Sequence, residues 1–284
     1  MTGRRPFWLF TAIAFGYAFL YLPIVTLIVY SFNDSRLVTV WGGFSTRWYA
    51  ELLQNERILE ALWLSVRIAA MTATLSVILG TLAALTLVRF TRFRTRMLFA
   101  GMVAAPLVMP EVILGLSGLL MFVTLEQLIG WPPGRGMTTI TIAHVTFTSA
   151  FVAVVVQSRL SQLDGSLEEA AMDLGARPWK VFFVIILPII SPALIAGWLL
   201  GFTLSMDDLV IASFVSGPGA TTLPMVVYSS VRLGVSPQVN ALATIIVVVV
   251  ATGVIIAGWL LHRQNRPDRA GEKRPIHRRS QRTG

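Results

Sequence analysis

Residues 166–206 read SLEEAAMDLGARPWKVFFVIILPIISPALIAGWLLGFTLSM, a short charged segment joined to a long uncharged one. From Val181 to Met206 there is no ionisable side chain. About 20 helical residues cross a hydrocarbon core, so 181–206 is predicted to be a membrane-spanning helix. The segment before it carries signals for a separate, short helix. Ser166 and Glu169 have capping-box spacing, in which the hydroxyl meets the third backbone N–H and the carboxylate reaches back. Glu168 and Glu169 also suit the positive end of a helix dipole. Gly175 is placed to end the helix in a left-handed conformation, and Pro178 blocks continuation. Between these signals Leu167, Ala170, Ala171 and Leu174 form one apolar stripe at i, i+3, i+4 and i+7. A helix of two to three turns is marginal alone, so the stripe needs cover. It either packs against the protein's own helix ends or lies in a groove on another protein.

Working outward, five further apolar stretches are long enough to span: 7–31, 61–88, 97–124, 138–160 and 239–261. None alternates with a period of two, and open sheets cannot sit in lipid. The expected fold class is therefore an all-α membrane protein with six transmembrane helices. Composition agrees. Of 284 residues 55% are apolar and 13% charged, with mean hydropathy +0.72. Soluble domains carry about 25% charged residues. The stretch at 7–31 is too long for a signal-peptide core and lacks a small-residue cleavage site, so it reads as an uncleaved first span. Three parts are expected: the first helix with an outer segment over 1–60, a five-helix domain over 61–261, and a basic tail over 262–284 that is poor in apolar residues and reads as disordered. No internal repeat is visible.

The net charge of +9 does not point to nucleic acid, because of where the charge lies. Eight of the 23 Lys/Arg fall in the last 22 residues. Arg4, Arg5, Arg89, Arg92, Arg94, Arg96, Arg159, Arg177 and Lys180 share their side of the membrane if the spans alternate. Positive-inside logic makes that side the cytoplasm, with both termini inside. The basic tail then reads as a topology anchor near anionic lipid. Trp41, Trp48 and Tyr49 follow the first span and suit an outer interfacial belt or surface helix. The chain has no cysteine, which excludes disulfides and thiolate metal sites, and its three histidines are scattered. No metal or cofactor is expected. No nucleotide-binding signature occurs.

Glu169, Ala170 and Ala171, then Gly175, then Ile185, Leu187 and Pro188 resemble the EAA loop of ABC-importer permeases over 20 positions. The resemblance extends over most of the chain and points to the spermidine/putrescine (polyamine) permeases. It is carried by LVTVWGGFSTRWYAELL at 37–53, APLVMPEVILGLS at 105–117 and LSMDDLVIASFVSGPGATTLPMVVYSSVRLGVSP at 204–237. It implies a type I importer (MetI-like) fold in a bacterial inner membrane, with the segment at Glu169 as coupling helix. It also implies two copies of a separate ATP-hydrolysing subunit, a second homologous permease and a periplasmic polyamine-binding protein. The chain would then be a transport subunit and not itself an enzyme. Glu169, Ala170, Ala171, Leu174, Gly175, Leu187 and Pro188 are the residues expected to couple to the ATPase. Pro188 and Pro192 interrupt the fifth span, and such breaks are where bundles bend.

A diamine is a flexible dication, so its path needs carboxylates, carbonyls and aromatic faces. Glu111 follows Pro110 near the middle of the third stretch, where an ionisable group is costly and by default functional. The alternative is a structural pair with Arg67. Asp207 and Asp208 close the fifth span, where two acids would attract a dication. The alternative is a solvated span end or an N-cap for the next segment. Arg67 is close enough to its span end to snorkel. His144 reads as a satisfied interhelical polar residue, and Trp198, Phe202 and Tyr228 as packing that also offers π faces. Two other functions fit a membrane protein with a docking helix. An ion-driven secondary transporter predicts internal repeats and more buried acids. A non-transporting scaffold has no use for acids along a path.

Overall fold

The computed structural model of the chain describes residues 7–37, 40–90, 92–233 and 237–264. Helices dominate. Among the described residues the sole β feature is an isolated bridge between Asn33 and Phe44. Five helical segments are long and apolar enough to cross a membrane: Trp8–Ser31, Glu56–Arg89, Glu111–Ile129, Met137–Leu160 and Pro178–Met206. The sixth expected stretch lies inside a 28-residue helix, Pro237–Gln264. The protein is an all-α membrane protein, as its apolar runs predicted. Apart from its first residues, which close this last helix, the expected basic tail lies outside the described residues.

By internal contacts the chain divides into two units, residues 1–52 with 236–284, and residues 53–235. The first unit holds α1 (Phe7–Ser31), α2 (Arg47–Leu53) and α12 (Pro237–Gln264), with α1 packed along α12. The loop before α2 is built around Asn33, which is 1% exposed. Its Nδ2 donates to the Val40 carbonyl (2.7 Å) and its Oδ1 accepts from the Gly42 N–H (2.8 Å). Trp48 Nε1 donates to the Asn33 carbonyl at 2.6 Å. Trp48 is thus buried and anchors the loop, and with Tyr49 it lies on the short helix α2, whereas Trp41 is exposed.

The second unit is organised on α3 (Glu56–Arg89), α6 (Met137–Leu160) and the long helical run that ends in α9 (Leu187–Met206). Asn55 caps α3, its side chain accepting from the Ile58 N–H. Small residues let these helices approach closely, as membrane bundles require. A Cβ on Gly80 of α3 would stand 2.9 Å from the Ala153 nitrogen and from Val152 of α6. Ala69, Ala73 and Ala84 lie at the same buried seam of α3. One cluster, with Phe122, Ile140, Ile211 and Val215, fills one end of the unit, and another, with Val156, Leu160, Val181 and Ile190, the other.

Two of the expected spans depart from continuous helices. The stretch read as 97–124 is divided into α4 (Arg96–Val108) and α5 (Glu111–Ile129). Pro110 lacks an N–H and holds its predecessor extended, and Met109 sits at φ −80°, ψ 136°. Helix α5 then runs past the expected span end at 124 to a left-handed Gly130. The fifth span begins with α7 (Ser166–Asp173) and α8 (Pro178–Val181) ahead of it, then a π-helical stretch Phe182–Ile186, then α9. Pro188 falls in the first turn of α9, and the Leu187 N–H bonds the Phe182 carbonyl five residues back. A proline ring collides with the carbonyl four residues before it, and the wider turn relieves that collision. The irregularity therefore precedes Pro188, and Pro192 lies within a continuous helix. Two short helices complete the unit, α10 (Val210–Val215) and α11 (Leu223–Leu233).

Candidate functional site

The short helix α7 forms where its local signals put it, with one change at its start. Ser166 is its first residue and not its cap. Asp164 Oδ1 accepts the Ser166 N–H at 3.0 Å, and no reciprocal Ser166–Glu169 capping box forms. That hydrogen bond holds the Asp164 carboxyl below its ordinary pKa. Asp164 reaches the free N–H groups first, so the helix starts a residue earlier than the box would set it. The other end is as the sequence predicts. Gly175 is left-handed at φ +83°. Its N–H bonds the Met172 carbonyl and the Ala176 N–H bonds the Ala171 carbonyl, which together make a Schellman closure.

The stripe on α7 is largely uncovered by this chain. Leu174 is 90% exposed, Leu167 50%, and Ala170 is also exposed. Ala171 alone packs inward, against the cluster that contains Leu160, Val181 and Ile186. Glu169 is exposed, while Glu168 pairs with Arg89 at the end of α3. Leu187 and Pro188 open α9, beyond the π-helical stretch. The arrangement suits a rigid, capped, apolar ridge offered outward.

The two acids after α9 have different fates. Asp207 is exposed. Asp208 is 8% exposed and its Oδ1 accepts the Ala212 N–H at 2.8 Å, which caps α10. The same oxygen lies 3.2 Å from His144 Nε2, and His144 Nδ1 lies 2.7 Å from Ser205 Oγ. Three elements, α6, α9 and the start of α10, thus meet at one buried imidazole. With Asp208 ionised, Nε2–H donates to it and the Ser205 hydroxyl donates to Nδ1. Sequence reading placed His144 correctly as a satisfied interhelical residue but missed its partners. The expected acidic pair is therefore one exposed carboxylate and one structural one.

Glu111 is the first residue of α5 and exposed, so it sits at a helix break and not mid-helix. An acid in the first turn of a helix sits where negative charge is favoured. No ion pair joins it to Arg67 among the described residues. Arg67 instead lines, with Arg57, Glu60, Trp63 and Thr221, a pocket of about 330 Å³. Trp198 stacks on Phe202 (5.3 Å between centroids) and donates from Nε1 to Thr74 Oγ1 of α3. Tyr228 lies under the Arg232 guanidinium. Among the described residues no cluster of His, Asp and Glu is arranged to hold a metal.

Residues 76–266 match the family model described as binding-protein-dependent transport system inner membrane component. The putrescine transport system permease protein PotI of Escherichia coli (strain K12) is 62% identical over 260 residues, 92% of this chain and 92% of that protein. The spermidine/putrescine transport system permease protein PotC of the same strain is 42% identical over 256 residues, 90% of this chain and 94% of that one. Solved structures share the architecture at low identity. A chain of a bacterial ABC transporter for import of the acidic polysaccharide alginate aligns over 93% of this chain and 98% of its own, with a TM-score of 0.69 at 19% identity. A chain of the inward-facing MetNI methionine ABC transporter aligns over 73% and 95%, with a TM-score of 0.56 at 16% identity. The helix order, the break at Pro110, the capped ridge of α7 and these matches lead to one conclusion: the chain belongs to the family of binding-protein-dependent transport system inner membrane components.

Proposed function

We propose that the chain is the permease subunit of an ATP-driven polyamine importer and that putrescine is the amine it carries. The observation that carries this reading is the 62% identity to a putrescine permease across 92% of both chains. The uncovered ridge of α7 supports the mechanical half of it. Leu167, Ala170 and Leu174 present apolar surface that this chain does not bury. A groove on an ATPase subunit is the expected cover, with Glu169 at the rim and Gly175 ending the helix sharply enough to fit. Leu187 and Pro188 then receive the displacement at the start of α9. ATP hydrolysis belongs to that separate subunit, present in two copies. A second, homologous permease completes the pore and a periplasmic polyamine-binding protein delivers the amine. Lys/Arg placement supports cytoplasmic termini and a cytoplasmic α7.

On the substrate side, of the three acids expected on the path Asp207 and Glu111 are exposed near helix ends, and we assign them to it. Asp208 acts through its hold on His144 and α10. Transport follows alternating access. Closure of the ATPase pair moves the two coupling helices together and opens the cavity outward.

The test is uptake by proteoliposomes holding the complete transporter, with labelled putrescine and, in parallel, spermidine. Uptake that needs both the binding protein and internal ATP, with putrescine preferred, is the expected result. Uptake driven by an ion gradient without ATP would overturn the importer reading, and a preference for spermidine would overturn the substrate.

A further inference from the structure

Helix α7 is tied to the rest of the second unit by chain on both sides, by Ala171 in the cluster that contains Leu160 and Val181, and by one ion pair. The chain link toward α9 runs through α8 and the π-helical stretch Phe182–Ile186. Single π turns inside helices are local departures from the regular hydrogen-bond ladder and recur at functional sites. The ion pair joins Glu168 in the first turn of α7 to Arg89, the last residue of α3. It bypasses the π turn. The two side chains are 24% and 19% exposed, so water and salt screen them less than an open surface pair. Each charge also suits its own helix: the arginine lies at the negative end of α3 and the glutamate at the positive end of α7. The pair thus ties the tail of the 34-residue α3 to the head of the ridge. Helix α3 packs along both α6 and α9, so a shift of its end is felt by the whole seam. Nearby, Arg96 is already engaged with the Leu87 carbonyl (3.2 Å).

We propose that the Glu168–Arg89 pair is a strut that passes movement of α7 directly to α3, and that Arg89 is a positioning residue for coupling ATP hydrolysis to transport. The proposal rests on α7 being the surface that docks the ATPase subunit. Without the strut, docking persists, but α3 loses its direct side-chain link to the head of α7, and the part of the displacement that travels through the π turn is partly lost there.

The experiment uses the full transporter in proteoliposomes and reads ATP hydrolysed per putrescine imported. Arg89→Glu and Glu168→Arg should each raise that ratio about tenfold, the scale of a typical inter-site coupling, while the ATPase subunits still co-purify. The double reversal should bring the ratio back to within about threefold of wild type, because the pair is remade with opposite polarity. Arg89→Gln and Glu168→Gln give a milder pair in case a reversal prevents assembly, and their effects should not add. A double reversal no better than the worse single change, or neutral variants whose effects simply add, overturns the strut. Leu174→Asp separates the two ideas. If it leaves the ATPase subunits bound and uptake intact, the docking reading fails. If it releases them while Arg89→Glu changes nothing, the strut alone fails.

Discussion

His144 is held on both ring nitrogens inside the second unit, and that makes it a sensitive residue. His144→Ala leaves the buried Asp208 with the Ala212 N–H but without the imidazole. Losing a hydrogen bond to a buried charged group costs about 1.5–3 kcal/mol. We expect a large fall in the midpoint of thermal unfolding in detergent. His144→Gln still offers a donor to Asp208, so its cost should be nearer 1–2 kcal/mol, about the worth of one imperfect hydrogen bond. The neighbouring acids separate cleanly. Asp207→Asn changes an exposed group and should leave the unfolding midpoint in place while slowing putrescine uptake about tenfold, the effect of one lost charge-assisted contact. Asp208→Asn should lower stability, because it weakens both the imidazole contact and the cap on α10. If Asp207→Asn transports normally, Asp207 has no part in the path.

At the scale of elements, α7 decides most. A carboxylate at Ala171 would have to enter the cluster that contains Leu160 and Val181, or push the ridge away from it. Ala171→Glu should therefore abolish coupled uptake and leave membrane insertion intact, checked by the amount of protein in carbonate-washed membranes. The reverse outcome, normal uptake, would remove α7 from the mechanism. Pro188→Ala removes the ring that makes a wide turn necessary. We expect the π-helical stretch to tighten and the helix to gain about 1 kcal/mol or more, given the roughly 3 kcal/mol preference for alanine over proline in helix interiors. Uptake should fall if bending there is needed.

Much of this scale was legible in the sequence, because caps and breaks are local. Gly175 announced its own conformation, and the apolar runs announced the spans. Two local signals misled. Asp164 outcompetes Ser166 for the first free N–H, and one residue of displacement dissolves the capping box. Pro110 falls inside the stretch read as one span, 97–124, and in fact marks a gap between two helices. What remained hidden was non-local. The His144–Asp208 contact joins residues 64 positions apart, and the Glu168–Arg89 pair joins the ends of different helices. No periodicity encodes such partners. They follow from how α3, α6 and α9 pack, which only a folded chain shows.

At the scale of the molecule, Lys/Arg placement gives a topology that can be read by labelling. The chain has no cysteine, so each introduced thiol reports alone. Arg36→Cys, in the exposed loop after α1, should react with a membrane-impermeant maleimide in intact spheroplasts. Gln162→Cys, exposed just before α7, should react only after permeabilisation. The opposite pattern would invert the orientation and place the ridge on the side without ATP.

The first unit carries a consequence for biosynthesis. Its candidate span Trp8–Ser31 has none of its most apolar window buried, and α1 finds its partner within that unit in α12, which the ribosome makes only after all the other helices. Within its own unit the opening helix must wait for α12 while the second unit is translated. Helices that wait unpaired are open to membrane proteases and to wrong neighbours. Closure of α1 on α12 is then a late event that depends on a finished chain. A message cut short before α12 leaves α1 without its partner in the first unit, so survival of α1 in the membrane reports whether translation has passed that helix.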